Sequence, residues 1–146
     1  MKPSRMLLPC FLLMAVVPCF AHHMAVVVNK DSRVTDVTPA YLAHIYRLEA
    51  RKWPDGKDVV LVLHKDSAGE LETLAHLTHM SDSELKAFVA SHKDGLMLAD
   101  SDADLLKIVE TVPGAVGLVN VRSINDQVNV LRVGGKLPME DGYLSH

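Results

Sequence analysis

The stretch LVLHKDSAGELETLAHL, from Leu61 to Leu77, carries an apolar run to His64, makes a short polar turn and enters a helical pattern at once. Strand, tight turn and helix N-terminus are the parts of an anion cradle. First-turn amides have no intrahelical partner and together carry about half a positive charge. The candidate ligands are the backbone N–H groups of Ser67, Ala68 and Gly69, the Ser67 hydroxyl and the side chain of Lys65. Asp66 and Glu70 oppose this chemistry. A carboxylate 4 Å from an oxyanion costs about 1 kcal/mol in water and several times more in a partly buried site. The same residues also fit a ligand-free arrangement, with Ser67 as N-cap and Glu70 completing a Ser-x-x-Glu capping box. Both readings stand on sequence.

Other residue sets are weaker. His76 and His79 stand one helical turn apart, with Glu72 on the same face, a spacing that can hold a transition metal but lacks a third strong ligand nearby. A solvated helix face accounts for them. His22 and His23 would open a processed chain, where a free amine beside histidine can take copper. No Ser-His-Asp order, paired-acid motif or glycine-rich phosphate loop is present. The expectation is a binding protein, not an enzyme, with no cofactor and no metal.

The elements that must position the turn alternate. MAVVVN, from Met24 to Asn29, is a continuous apolar run, as in a strand buried on both faces. Thr38 caps a helix with Pro39 at its first position and Leu42, Ile45 and Tyr46 as its stripe. Pro54, Asp55 and Gly56 punctuate a turn, with Trp53 as a lid on the core, before the strand VVLVLH. The helix after Ser67 shows Leu71, Leu74 and Ala75 on one face. Ser81 with Glu84 opens another helix. LML is a short strand, Ser101 with Asp104 starts a further helix, PGAVGLV is a turn and strand, and QVNVLRV is a last strand. The predicted order is β-α-β-α-α-β-α-β-β, an α/β layered domain with a mostly parallel sheet. Ligands on such sheets bind beyond the carboxyl ends of strands, at helix N-termini.

Lys2 and Arg5, the apolar segment Met6 to Ala21 and small Ala21 read as a secretory signal over residues 1–21, with one α/β domain over 22–146 and a periplasmic destination. Cys10 and Cys19 both fall in that segment, so the processed chain has no disulfide or thiolate site. VVPC loosely resembles a lipobox at Cys19, but Pro18 is a poor residue before a lipidated cysteine. Without Lys2 and Arg5 the chain carries 13 basic and 18 acidic residues, a net charge of −5, which excludes nucleic-acid binding through charge.

AVVVNKDSRVTDVTPAYLAHIYRLEARKWPDGKDVVLVLHKDS resembles the second lobe of phosphate ABC transporter substrate-binding proteins: a strand ending in Val-Asn, a helix with an Ile-Tyr end, a Trp, then a strand leading to a Ser-Gly-Thr turn. VPGAVGLVNV is similar to that family's Pro-Gly-Ala-Ile-Gly-Tyr segment. The resemblance runs from about Ala25 to Gly135. It implies a periplasmic-binding-protein-like three-layer fold, here of one lobe, and a small oxyanion ligand, phosphate first. It also implies a site at Ser67, Ala68 and Gly69, with His64 or Lys65 near the family's basic residue and the Gly114 amide lining the same cleft. The departures are Ala68 and Gly69 for Gly-Thr, Glu70 after them, and Leu118 for the family's Tyr. One lobe would need a second copy, forming a homodimer, or another protein to enclose a ligand. The expected partners are therefore an oxyanion, an ABC transporter permease or a membrane sensor. The alternative is a ligand-free interaction or sensor-adaptor protein that keeps the fold without the anion site.

Overall fold

The computed structural model describes residues 23–144. The expected signal segment, both cysteines and His22 lie outside the described residues. The main sheet contains β1 (Met24–Asn29), β3 (Val60–His64), β4 (Met97–Ala99), β5 (Ala115–Asn120) and β6 (Val128–Val130), in the spatial order β4-β3-β5-β1-β6. β3 is parallel to β4 and to β5, and β1 runs against both β5 and β6. Only β1 therefore opposes the common strand direction, and the sheet is mostly parallel as expected. β2 (Asp36–Val37) and β7 (Arg132–Val133) form a separate parallel pair.

β1 is apolar from Met24 to Val28 because it lies between two strands and under two layers; all six of its residues, with polar Asn29 at the end, are buried. Alternate residues feed opposite faces. Val26 and Val28 join Leu61, Leu63, Val116 and Leu118 beneath α1 (Pro39–Tyr46), α2 (Ala68–Thr78) and α3 (Asp82–Ser91). Val27, Val62, Ala115 and Val119 pack on the other face against Leu105, Leu106 and Val109 of α4 (Asp102–Thr111). This gives three layers. Asn29, at the end of β1, stitches two of them: its buried side-chain amide donates to the carbonyls of Val109, Glu110 and Val112 at 2.9–3.1 Å. The last carbonyls of α4 thereby gain the partner that a helix C-terminus lacks.

The expected last strand divides at Leu131. β6 stays in the main sheet, while β7 turns to β2. The Tyr143 hydroxyl closes the gap, accepting from Val26 N–H at 3.1 Å and donating to the Leu131 carbonyl at 2.6 Å. Trp53 is buried and donates from Nε1 to the Gly114 carbonyl at 2.8 Å, so it locks the base of β5 to its own loop. Among the described residues no helix is long and apolar enough to cross a membrane.

Candidate functional site

Three parallel strands end together, at His64, Ala99 and Asn120. Two helix N-termini rise from that edge: α2, capped by Ser67, and α4, capped by Ser101. The turn after β3 is held on the sheet by Lys65 N–H donating to the Ala99 carbonyl at 2.9 Å. His64 Nδ1 accepts from Asp66 N–H at 3.2 Å, which puts the ring proton on Nε2, 3.8 Å from Asp102 Oδ1. Asp102 Oδ2 in turn accepts from Asn120 N–H at 3.2 Å and from the Ser123 hydroxyl at 2.7 Å. The Lys65 ammonium lies 3.2 Å from Asp100 Oδ1 in an exposed pair.

Ser67 Oγ accepts from Glu70 N–H at 3.2 Å, so the serine is an N-cap. Its hydroxyl proton remains available to a ligand, since the cap uses only an oxygen lone pair. Ala68 and Gly69 supply the first-turn N–H groups that the helix cannot pair internally. Ala68 is exposed and Ser67 and Gly69 are half-exposed, so a solute reaches all three.

Glu70 behaves differently from its sequence reading. Its carboxylate does not stand beside the amides or close the expected reciprocal capping box. It turns inward, 2% exposed, and Oε2 accepts from His64 N–H at 2.7 Å. Oε1 has no hydrogen-bond partner among the described residues, nor does the buried hydroxyl of Tyr46. Burial drives the Glu70 carboxyl up to about 8, with Asp102 adding to the rise and the His64 N–H opposing it. Near neutral pH Glu70 is thus mostly an uncharged acid, and the negative charge expected against an anion is largely absent. Burial also raises Tyr46 well above the usual phenol range, with the Glu70 charge as a further cause. The physical origin is the α2 stripe, which buries Glu70, Leu74 and Leu77 at i, i+4 and i+7 instead of centring on Leu71 and Ala75.

The structure brings His64, Lys65, Ser67, Ala68 and Gly69 together, and places Gly114 elsewhere. Gly114 precedes β5, level with Val60 at the amino end of β3, with its carbonyl accepting Val60 N–H at 3.0 Å. His64 closes the other end of that strand. The pattern PGAVG serves the chain: Gly114 has φ +80°, and a Cβ there would meet the Asp58 carbonyl oxygen at 2.0 Å. His79 is the left-handed C-cap of α2, φ 58°, and so leaves the helix face it was expected to share with His76. Among the described residues no three His, Cys, Asp or Glu side chains converge as a metal site would require.

Sequence reasoning missed Asp102, Asn120 and Ser123, which reach His64 only through the β4–α4 and β5 connections. It also missed a cavity of about 470 Å³ that opens from the Ser67 turn and runs between α2 and α3 over the ends of β3 and β4. The paired stripes Leu71–Leu74 and Leu85–Val89 were its only sequence trace.

No family profile matches the chain, and no curated protein sequence matches it. Solved structures do. An ABC-type phosphate transport receptor from Vibrio cholerae superposes with a TM-score of 0.66 at 18% identity, covering 84% of this chain and 52% of that one. A phosphate binding protein from Stenotrophomonas maltophilia gives 0.64 at 18% identity, over 80% and 40%. PstS from Borrelia burgdorferi gives 0.58 at 16% identity, over 80% and 49%. The chain spans about half the length of these structures or less. The likeness establishes the fold, and it agrees with the family resemblance read from the Ala25–Ser67 and Val112–Val121 segments.

Proposed function

We propose that this chain is an exported binding protein that holds a small oxyanion, phosphate first, at the N-terminus of α2. The carrying observation is the open turn at the carboxyl edge of the sheet. There Ser67, Ala68 and Gly69 present donors to solvent while Glu70 is withdrawn behind them. The amides and helix dipole attract the anion, the Ser67 hydroxyl donates a further bond, and Lys65 adds a cation within reach of solvent. Asp66 remains an exposed opposing charge that limits affinity. The fold shared with proteins named for phosphate binding or transport supports phosphate as the ligand class and an ABC transporter permease as the membrane partner. No bond is made or broken in this role. Closure by a second copy or another protein would dry the site and strengthen every contact in it.

A melting series with phosphate, sulfate and related oxyanions at millimolar concentration tests the proposal. A ligand at a hundred times its dissociation constant adds about 2.7 kcal/mol, enough to move the midpoint by several degrees in a domain of this size. A shift with phosphate supports the reading. A flat series across all oxyanions refutes it and leaves Ser67 as a cap, with the fold serving contact with a sensor or membrane protein.

A further inference from the structure

Glu70 has two places to put its carboxyl. Three residues after the cap serine, it has the spacing at which a glutamate reaches back to the N-cap amide, here Ser67 N–H. The structure shows the other place. The side chain lies beneath the turn, 2% exposed, with Oε2 accepting from His64 N–H at 2.7 Å. Oε1 and the buried hydroxyl of Tyr46 both lack a hydrogen-bond partner among the described residues. The inward place therefore satisfies only half of the carboxyl, and an unpaired buried polar atom is costly.

The surroundings of the inward place accept an acid and reject a carboxylate. Asp102 of α4 adds negative charge there. From α1 comes Tyr46, a neutral phenol held above its usual range by burial first, then by the Glu70 charge and by Tyr143. From β3 come the His64 N–H and a ring whose Nε2 is turned to Asp102, 3.8 Å away. β1 and β5 present Val26, Val28, Val116 and Leu118. Lys65 and Asp66 of the turn, with Lys86 and Lys93 on the α3 side, are all exposed, and among the described residues no cation pairs with the Glu70 carboxyl. A buried charge without a partner is strongly unfavourable. Burial accordingly raises the carboxyl to about 8, so its proton is lost at mildly alkaline pH. Outside, the same carboxylate would meet the positive end of α2 and an N-cap amide.

We propose that Glu70 is an internal gate on the Ser67 turn. Protonated, it stays inside and leaves the donors of the turn open to solvent. Ionised, it swings outward, accepts Ser67 N–H in the capping box and takes the place of an external anion. The movement stands on the geometry of Glu70 alone; its effect on ligand binding rests on the oxyanion reading of the same turn. A ligand would bind the inward state and hold the proton on Glu70, so uptake and release would follow pH.

Two measurements test the gate. In the ligand-free wild type, the His64 and Ser67 amide resonances are followed from pH 6.5 to 9. Both should move with one midpoint, as His64 N–H loses its acceptor and Ser67 N–H gains one, and neither should make that transition in Glu70→Gln. A His64 transition without one at Ser67 would mean that the carboxylate ionises in place, and would overturn the gate. Inorganic phosphate is then titrated calorimetrically into both proteins at pH 6.5 and 9. The two should bind it equally at pH 6.5, and Glu70→Gln should bind at least about tenfold more tightly than the wild type at pH 9. The ratio of the two affinities removes the titration of phosphate itself and of the histidines. An equal ratio at both pH values would overturn the gate and leave the oxyanion site standing. Silence from phosphate in both proteins at both pH values would overturn the oxyanion reading, and the wild-type amide resonances would still decide the movement. They decide it equally if Glu70→Gln fails to fold.

Discussion

The backbone N–H of His64 donates to Glu70 Oε2 across 2.7 Å, tying the last residue of β3 to the first turn of α2 from inside the chain. This bond stiffens the strand-to-helix turn from below and leaves the donors of the turn facing outward. It also commits a carboxyl group to the interior, with consequences for stability.

Burial holds Glu70 near 8 in the folded chain against an ordinary value of about 4.5. Below about 4.5 both folded and unfolded chains carry the proton, and the group costs nothing extra. Between about 4.5 and 8 the unfolded chain releases it while the folded chain keeps it, so the Glu70 contribution to stability falls as pH rises. The loss is at most about 1.4 kcal/mol per pH unit in that window. Glu70→Gln keeps the acceptor for His64 N–H and should remove this slope. Denaturant unfolding at pH 5, 7 and 8.5 should show the variant gaining on the wild type by a few kcal/mol at the highest pH. Parallel curves for the two proteins would contradict the buried-acid assignment.

Ser67 has two roles that substitutions separate. Ser67→Gly should lower stability by only a few tenths of a kcal/mol, because glycine is a tolerable N-cap. Phosphate binding should nonetheless weaken severalfold with the hydroxyl gone. Ser67→Ala should cost about 1 kcal/mol of stability as well. Unchanged phosphate affinity in Ser67→Gly would confine the serine to capping.

Asn29 is the joint between β1 and the end of α4. Asn29→Ala leaves the carbonyls of Val109, Glu110 and Val112 without its donor amide, and Asp31 N–H without its 3.0 Å acceptor. The expected loss is about 2–4 kcal/mol in urea unfolding. A loss below 1 kcal/mol would show that water replaces the side chain.

Gly114 and Gly117 should tolerate alanine very differently. At Gly114 the new methyl meets a backbone oxygen at 2.0 Å from a left-handed conformation. At Gly117 it meets Leu105 Cδ2 at 2.6 Å, a side-chain atom of a fully buried leucine that would have to repack. Gly114→Ala should cost roughly 3 kcal/mol and Gly117→Ala about half of that. The reverse ranking in thermal melts would contradict the turn geometry at Trp53 and Asp58.

Much of this was legible in the residues. The apolar run of β1, the Thr38-Pro39, Ser67, Ser81 and Ser101 caps, and the alternation of strand and helix are local signals, and local physics decides them. What stayed hidden depends on assembly. Glu70 follows a cap serine at the capping-box spacing, and only the rotation of α2 on the sheet turns it inward. Asp102 meets His64 because β4 pairs beside β3, a register that no residue near His64 encodes. Gly114 carries a pattern associated with a cleft, yet the parallel pairing of β3 and β5 puts it at the far end from the turn. The break at Leu131 depends on Tyr143, twelve residues on, filling the gap in the ladder.

An oxyanion held at the α2 N-terminus is detected by amide chemical shifts measured during a phosphate titration. Saturable movement of the Ala68 and Gly69 amide resonances is expected, with Ser67 and Lys65 following and Gly114 unmoved. Stationary Ala68 and Gly69 signals at millimolar phosphate, or movement confined to other parts of the chain, would contradict it.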